Sequence, residues 1–110
     1  MGKCFEGMET PWGPAQTVTR IADGIDAVST SSHGGIRLSA ERQAQMPERF
    51  VGLNKYGRGC WYEEDCEWAL VAVAFPEHFL DCLDDAVRVL WSVYGLKVGD
   101  DVLRMAREGK

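Results

Sequence analysis

The string Ser31-Ser32-His33-Gly34-Gly35 is the most enzyme-like feature of the chain. Glycines beside a histidine let backbone N–H groups approach an anion or an oxyanion, while the imidazole can serve as a base. The string stands without the G-x-S-x-G elbow that accompanies oxyanion loops in hydrolases. The plainer reading is a glycine-supported turn whose histidine bonds its own backbone. A second candidate is Trp61-Tyr62-Glu63-Glu64-Asp65-Cys66. Glu64 or Asp65 could act as a general acid/base or metal ligand if turned into a pocket. Cys66 could act as a nucleophile if His33 or His78 were near. The plainer alternative has Glu63 and Asp65 capping a helix, Glu67 solvated and Cys66 packed. His78, in Pro76-Glu77-His78-Phe79, reads as a polar residue at a helix start.

These residues need elements to position them. One domain spanning residues 1–110 is expected from the length. With 45% apolar and 26% charged residues, the composition is that of a globular chain. Residues 1–10 read as a loose lead-in, followed by the rigid turn Thr10-Pro11-Trp12-Gly13-Pro14, whose tryptophan should plug an edge of the core. Gln16–Ala22 and Ile25–Ser31 flank Asp23-Gly24, a type I′ hairpin signal that sets Val18 opposite Ser29 and Arg20 opposite Ala27. Apolar and polar residues alternate poorly there, so either both faces are partly covered or the register is shifted by one. Gly34-Gly35 allows positive φ in a second tight connection, and Ile36–Leu38 completes a meander.

Ser39 is a helix N-cap, with Glu41 in the first turn. One helical turn is expected over Glu48–Val51 within a glycine-rich loop. The apolar run Trp68–Phe75 could be a buried strand or a buried helix. A helix is favoured by the acids before it, by alanines at 69, 72 and 74, and by the stripe Trp68, Val71, Ala72, Phe75. A second helix runs over Phe79–Tyr94 with Gly95 as its stop, and a short one over Asp100–Arg107. The fold class is therefore α+β: a small antiparallel β-meander (about residues 16–38) packed against a C-terminal helical part (about residues 62–107).

Charge is unevenly distributed. Net charge is −5, and residues 59–87 hold Glu63, Glu64, Asp65, Glu67, Glu77, Asp81, Asp84 and Asp85 with no Lys or Arg. That argues against direct nucleic-acid binding, which needs a basic footprint. It suits a basic partner surface. Cys4, Cys60, Cys66 and Cys82 form no C-x-x-C pair and match no zinc spacing, so free thiols and no bound metal or cofactor are expected. No P-loop, dinucleotide fingerprint, EF-hand or H-E-x-x-H occurs. Without an apolar h-region or a membrane-length run, a cytoplasmic location is expected.

The strings Thr10-Pro-Trp-Gly-Pro-Ala15, Ser29-Thr-Ser-Ser-His-Gly-Gly-Ile-Arg-Leu-Ser39, Trp61-Tyr-Glu-Glu-Asp-Cys-Glu-Trp-Ala69 and Ala74-Phe-Pro-Glu-His-Phe79 resemble an uncharacterised small-domain family of bacteriophages, conjugative plasmids and integrated mobile elements. The resemblance covers about residues 10–80. It implies a genomic setting and transfers no catalytic residue. Small accessory proteins in that setting often act against host defences such as restriction or CRISPR systems. Three expectations follow. The first is a stoichiometric inhibitor whose acids Glu63, Glu64, Asp65, Glu67, Asp81, Asp84 and Asp85 steer it to a basic surface of a nucleic-acid-handling defence enzyme, with Trp61 or Tyr62 as anchors. The second is a small enzyme using His33 with Glu64, Asp65 or Cys66. The third is an assembly module, such as a homodimer through a Trp91/Tyr94 face.

Overall fold

The computed structural model describes residues 5–54 and 60–99. The expected helix at Asp100–Arg107 lies outside the described residues, as does Cys4. The fold is α+β, with an antiparallel sheet on one side and a pair of helices on the other.

The chain enters through a two-stranded ribbon in which β1 (Glu9–Thr10) pairs with β2 (Gly13–Pro14). The end of the segment read as a loose lead-in is thus a paired strand. Thr10 closes the ribbon: its hydroxyl donates to the Gly13 carbonyl at 2.7 Å and accepts the Trp12 N–H at 3.0 Å. Gly13, at φ +113°, takes a conformation that a side chain would disfavour. The ribbon presents Trp12 to the main sheet.

The main sheet has the order β3-β4-β5-β6, with β3 Thr17–Ala22, β4 Ile25–Ser29, β5 Gly34–Leu38 and β6 Trp61–Glu63. The Asp23-Gly24 hairpin forms where the sequence sets it, but not as a type I′ turn, because only Gly24 (φ +82°) has positive φ. Unprimed turns twist against their strands. A bulge between Arg20 and Ala22 adds right-handed twist and lets the strands close. The bulge also corrects the register: Thr17, not Val18, faces Ser29, and Asp26, not Ala27, faces Arg20. The turn is held from outside. Arg42 Nε donates to the Asp23 carbonyl at 2.8 Å, and the Ser39 N–H donates to the Gly24 carbonyl at 2.9 Å.

The poor alternation has a structural cause. The central strands β4 and β5 are covered on both faces. Ile25, Ile36, Leu38 and Tyr62 point toward the helices and are buried. On the opposite face Trp12 lies over Gly35, where an added Cβ would sit 2.6 Å from its ring. Gly34 and Gly35 are extended strand residues without positive φ, so their glycine character serves close approach rather than a turn. The turn lies just before them, where the Thr30 hydroxyl donates to the His33 carbonyl at 2.7 Å and accepts the His33 N–H at 3.0 Å.

Ser39 caps α1 (Ala40–Ala44) by accepting the Arg42 N–H at 3.1 Å, and a 3-10 turn follows at Glu48–Phe50. Asn54 then ties the loop to the sheet by donating to the Trp61 carbonyl at 2.9 Å. The run Trp68–Ala74 is helix, α2. It is apolar all round because it is buried all round, with Ala69, Leu70, Val71, Ala72 and Val73 in the core. The following helix starts later than its stripe implies. Phe79 (φ −135°, ψ 31°) and Cys82 (φ −121°, ψ 15°) leave helical geometry, so two 3-10 turns precede α3 (Leu83–Tyr94). Gly95, in the left-handed region, ends α3 as a C′ residue.

Candidate functional site

The acids of the central stretch fall into two groups, one before α2 and one at the start of the following helix. Glu63 ends β6, and Glu64–Glu67 turn the chain into α2. The Glu64 N–H donates to the Gly34 carbonyl at 3.0 Å, which extends the ladder by one residue. Glu67 is buried rather than solvated, at 7% exposure, and its Oε1 accepts the Glu63 N–H at 2.9 Å. It braces the turn and is poorly placed to meet a partner. It occupies the N-cap position of α2 without a side-chain capping bond, and α2 has no acid in its first turn, contrary to the capping role expected of Glu63 and Asp65.

Tyr94 shows where this turn sits relative to α3. Its phenol is pushed up to about 12, by burial first and then by the nearby charges of Glu67, Cys66 and Glu63. The acidic turn therefore adjoins the C-terminal end of α3. Asp81, Asp84 and Asp85 lie at the other end of that helix. Along α3 the rise from Asp84 and Asp85 to Tyr94 is about 14 to 15 Å. Asp85 is further engaged by Arg88 Nη1 at 3.0 Å. The acids expected to act together from the sequence are thus placed toward the two ends of α3.

Tyr94 also makes stability pH-dependent. A phenol that ionises near 10 unfolded and near 12 folded keeps its proton longer in the folded state. Its contribution is complete below pH ~10 and is lost as pH rises toward ~12. Tyr62 shifts in the same direction, chiefly through burial. The Tyr94→Phe variant is expected to lose stability less steeply above pH ~10 than the parent, as read from urea midpoints across the alkaline range.

Of the two expected aromatic anchors, only Trp61 reaches the surface. Tyr62 is fully buried, and its hydroxyl donates to Gln43 Oε1 at 2.7 Å. Trp61 lies on the face opposite Tyr62, edge-on to Trp12 at 5.6 Å between ring centres and under the Arg37 guanidinium at 5.6 Å. That face also carries Asp26, buried and paired with Arg20 Nε at 3.2 Å. Trp91 is 61% exposed on α3, whereas Tyr94 is partly buried.

The enzyme-like side chains make no hydrogen bond or ion pair to one another among the described residues. The His33 side chain is exposed and makes no hydrogen bond or ion pair among the described residues. The glycine backbones that could have formed an oxyanion site are in register between β4 and β6. Among the described residues His78 Nε2 pairs only with Glu77 Oε2, at 3.6 Å. Cys60, Cys66 and Cys82 are free thiols, and no group of three His, Cys, Asp or Glu among the described residues could hold a metal ion.

What the sequence reading missed is a concavity of about 340 Å³ on the helix-facing side of the sheet, lined by Thr17, Thr19, Ser29, Ile36, Glu64 and Trp68 among others. Thr17 pairs with Ser29, Ser29 with Gly34, and Gly34 with Glu64 through the backbone. These positions form one row across the end of the sheet, and α2 leaves that row partly open. Two hydroxyls at matching ends of a hairpin were the available signal. Their convergence with Glu64 depended on a strand far along the chain. Glu64 has a free carboxylate among the described residues, and Gly34 leaves it room: a Cβ there would lie 3.2 Å from Glu64 Oε1.

The class this architecture defines is a small α+β domain, a four-stranded antiparallel meander backed by a helix pair, with one acid-rimmed hollow at the end of its sheet. The chain belongs to the DUF7007 family, described as a domain of unknown function, whose model matches residues 5–100. No curated protein and no solved structure gives a significant match. Among the described residues no helix is long and apolar enough to cross a membrane.

Proposed function

We propose that the protein is a mobile-element accessory factor that acts as a stoichiometric, protein-binding inhibitor of a host defence system of the anti-CRISPR or anti-restriction type. It docks on a basic surface of a nucleic-acid-handling enzyme. The observation that carries this reading is that Glu64, Asp65 and Asp81 are exposed and make no ion pair among the described residues. Unpaired surface carboxylates on a chain of net charge −5 raise the rate of encounter with a cationic surface. The resemblance to a family of phages and plasmids supplies the setting, and the bare His33 imidazole favours binding over proton transfer.

Two patches at opposite ends of α3 match a partner groove with basic flanks better than a single contact point. Reversing Glu64, Asp65 and Asp81 together to lysine is expected to lower recovery of the host target at least about tenfold. The measurement is affinity capture from the bacterial host with quantitative mass spectrometry. It is paired with the frequency of plasmid transfer or phage infection into a host whose defence system is active. Undiminished recovery and undiminished protection by the reversed protein would sink the reading.

A further inference from the structure

Resting on the binding role just described, we propose that the hollow at the end of the sheet is the receptor for an arginine side chain of the partner. Its floor is built by register. Thr17, Ser29 and Gly34 lie side by side on β3, β4 and β5, and Glu64 follows where β6 ends. At about 4.8 Å per strand, the row spans about 14 Å. Thr19, Ala27 and Ile36 form the row behind it.

The lining selects the ligand. Among the described residues the Glu64 carboxylate is the only charge in it, and no Lys, Arg or His contributes. An anion is therefore disfavoured and a cation drawn in. The Thr17 and Ser29 hydroxyls contact one another and keep spare lone pairs for a donor. Trp68 supplies an indole beside the carboxylate, and Ala27 and Ile36 supply apolar contact for a methylene stem. A flat group with several N–H donors meets all of these. Guanidinium can bond a carboxylate in a bidentate fork and stack on an indole, whereas an ammonium is a compact, strongly hydrated point charge. Gly34 keeps the hollow open, since a Cβ there would lie 3.2 Å from both Glu64 Oε1 and the Ser29 Cα.

The probe is N-acetyl-arginine amide, titrated into the isotopically labelled protein and followed by amide and indole N–H chemical shifts. Shifts are expected at Ser29, Gly34, Gly35, Glu64 and the Trp68 indole, saturating with one site. The lysine and citrulline analogues should bind several-fold more weakly. Glu64→Gln keeps the shape but removes the charge, and should weaken arginine binding at least about tenfold. Glu41→Gln, on α1 at the opposite end of the sheet, should leave it unchanged. Shifts scattered over the surface, equal binding of lysine or citrulline, or an unaffected Glu64→Gln variant would each overturn the assignment. No partner enters this titration, so its failure is distinct from failure of the capture experiment.

Discussion

Alanine at position 35 is expected to destabilise the protein by about 3 kcal/mol, the upper part of the usual range for forcing atoms into a packed site. The added Cβ would press against the Tyr62 carbonyl oxygen on one side and lie 2.6 Å from the Trp12 ring on the other. The oxygen belongs to the backbone of β6 and cannot turn aside. Either the β5–β6 pairing opens or Trp12 leaves the sheet. The check is the urea midpoint of Gly35→Ala, alone and combined with Trp12→Ala. The second substitution should not rescue the first, because it leaves the carbonyl contact in place. Rescue to parental stability would show that the aromatic contact alone made glycine necessary. The loss should lower the melting temperature by roughly 10–15 °C for a domain of this size.

The second large effect is expected in α2. Leu70 is fully buried among the sheet and the helices. Leu70→Ala removes its apolar surface and leaves a cavity that the flanking elements fill only in part, which costs about 3 to 4 kcal/mol. Calorimetric unfolding measures the loss. A cost under about 1 kcal/mol would mean that α2 is not the element that closes the core. If Leu70→Ala also weakened partner capture, comparison with Glu64→Gln would separate loss of fold from loss of contact.

Several elements were legible because a few neighbouring residues determine each of them. Asp23-Gly24 makes a turn, Ser39 with its accepting hydroxyl makes an N-cap, and Gly95 relaxes into the left-handed region after α3. The helix at Trp68–Ala74 was readable from its alanines and its stripe, although the same run could have filled a central strand. The fourth strand was not readable. Trp61–Glu63 has only three residues, and the acids after it imitate a helix start. Its partner, β5, lies far back along the chain, with Gly35 opposite Glu63. The missed strand reassigned the candidate site as well. It put Trp61 on one face of the sheet and Glu64 on the other, and it buried Tyr62.

The amino-acid sequence by itself determined which segments turn, which coil into helices, and that the middle of the chain would be acidic. Those outcomes depend on backbone preferences, capping groups and composition, all of them local. Only the tertiary structure decided the strand register, the division of the acids between the two ends of α3, and the hollow that joins Thr17, Ser29 and Glu64. A bulge at one residue shifts an entire strand, and a ladder bond from Glu64 to Gly34 joins segments that no local pattern relates. Contacts of that kind are chosen by how the whole core packs.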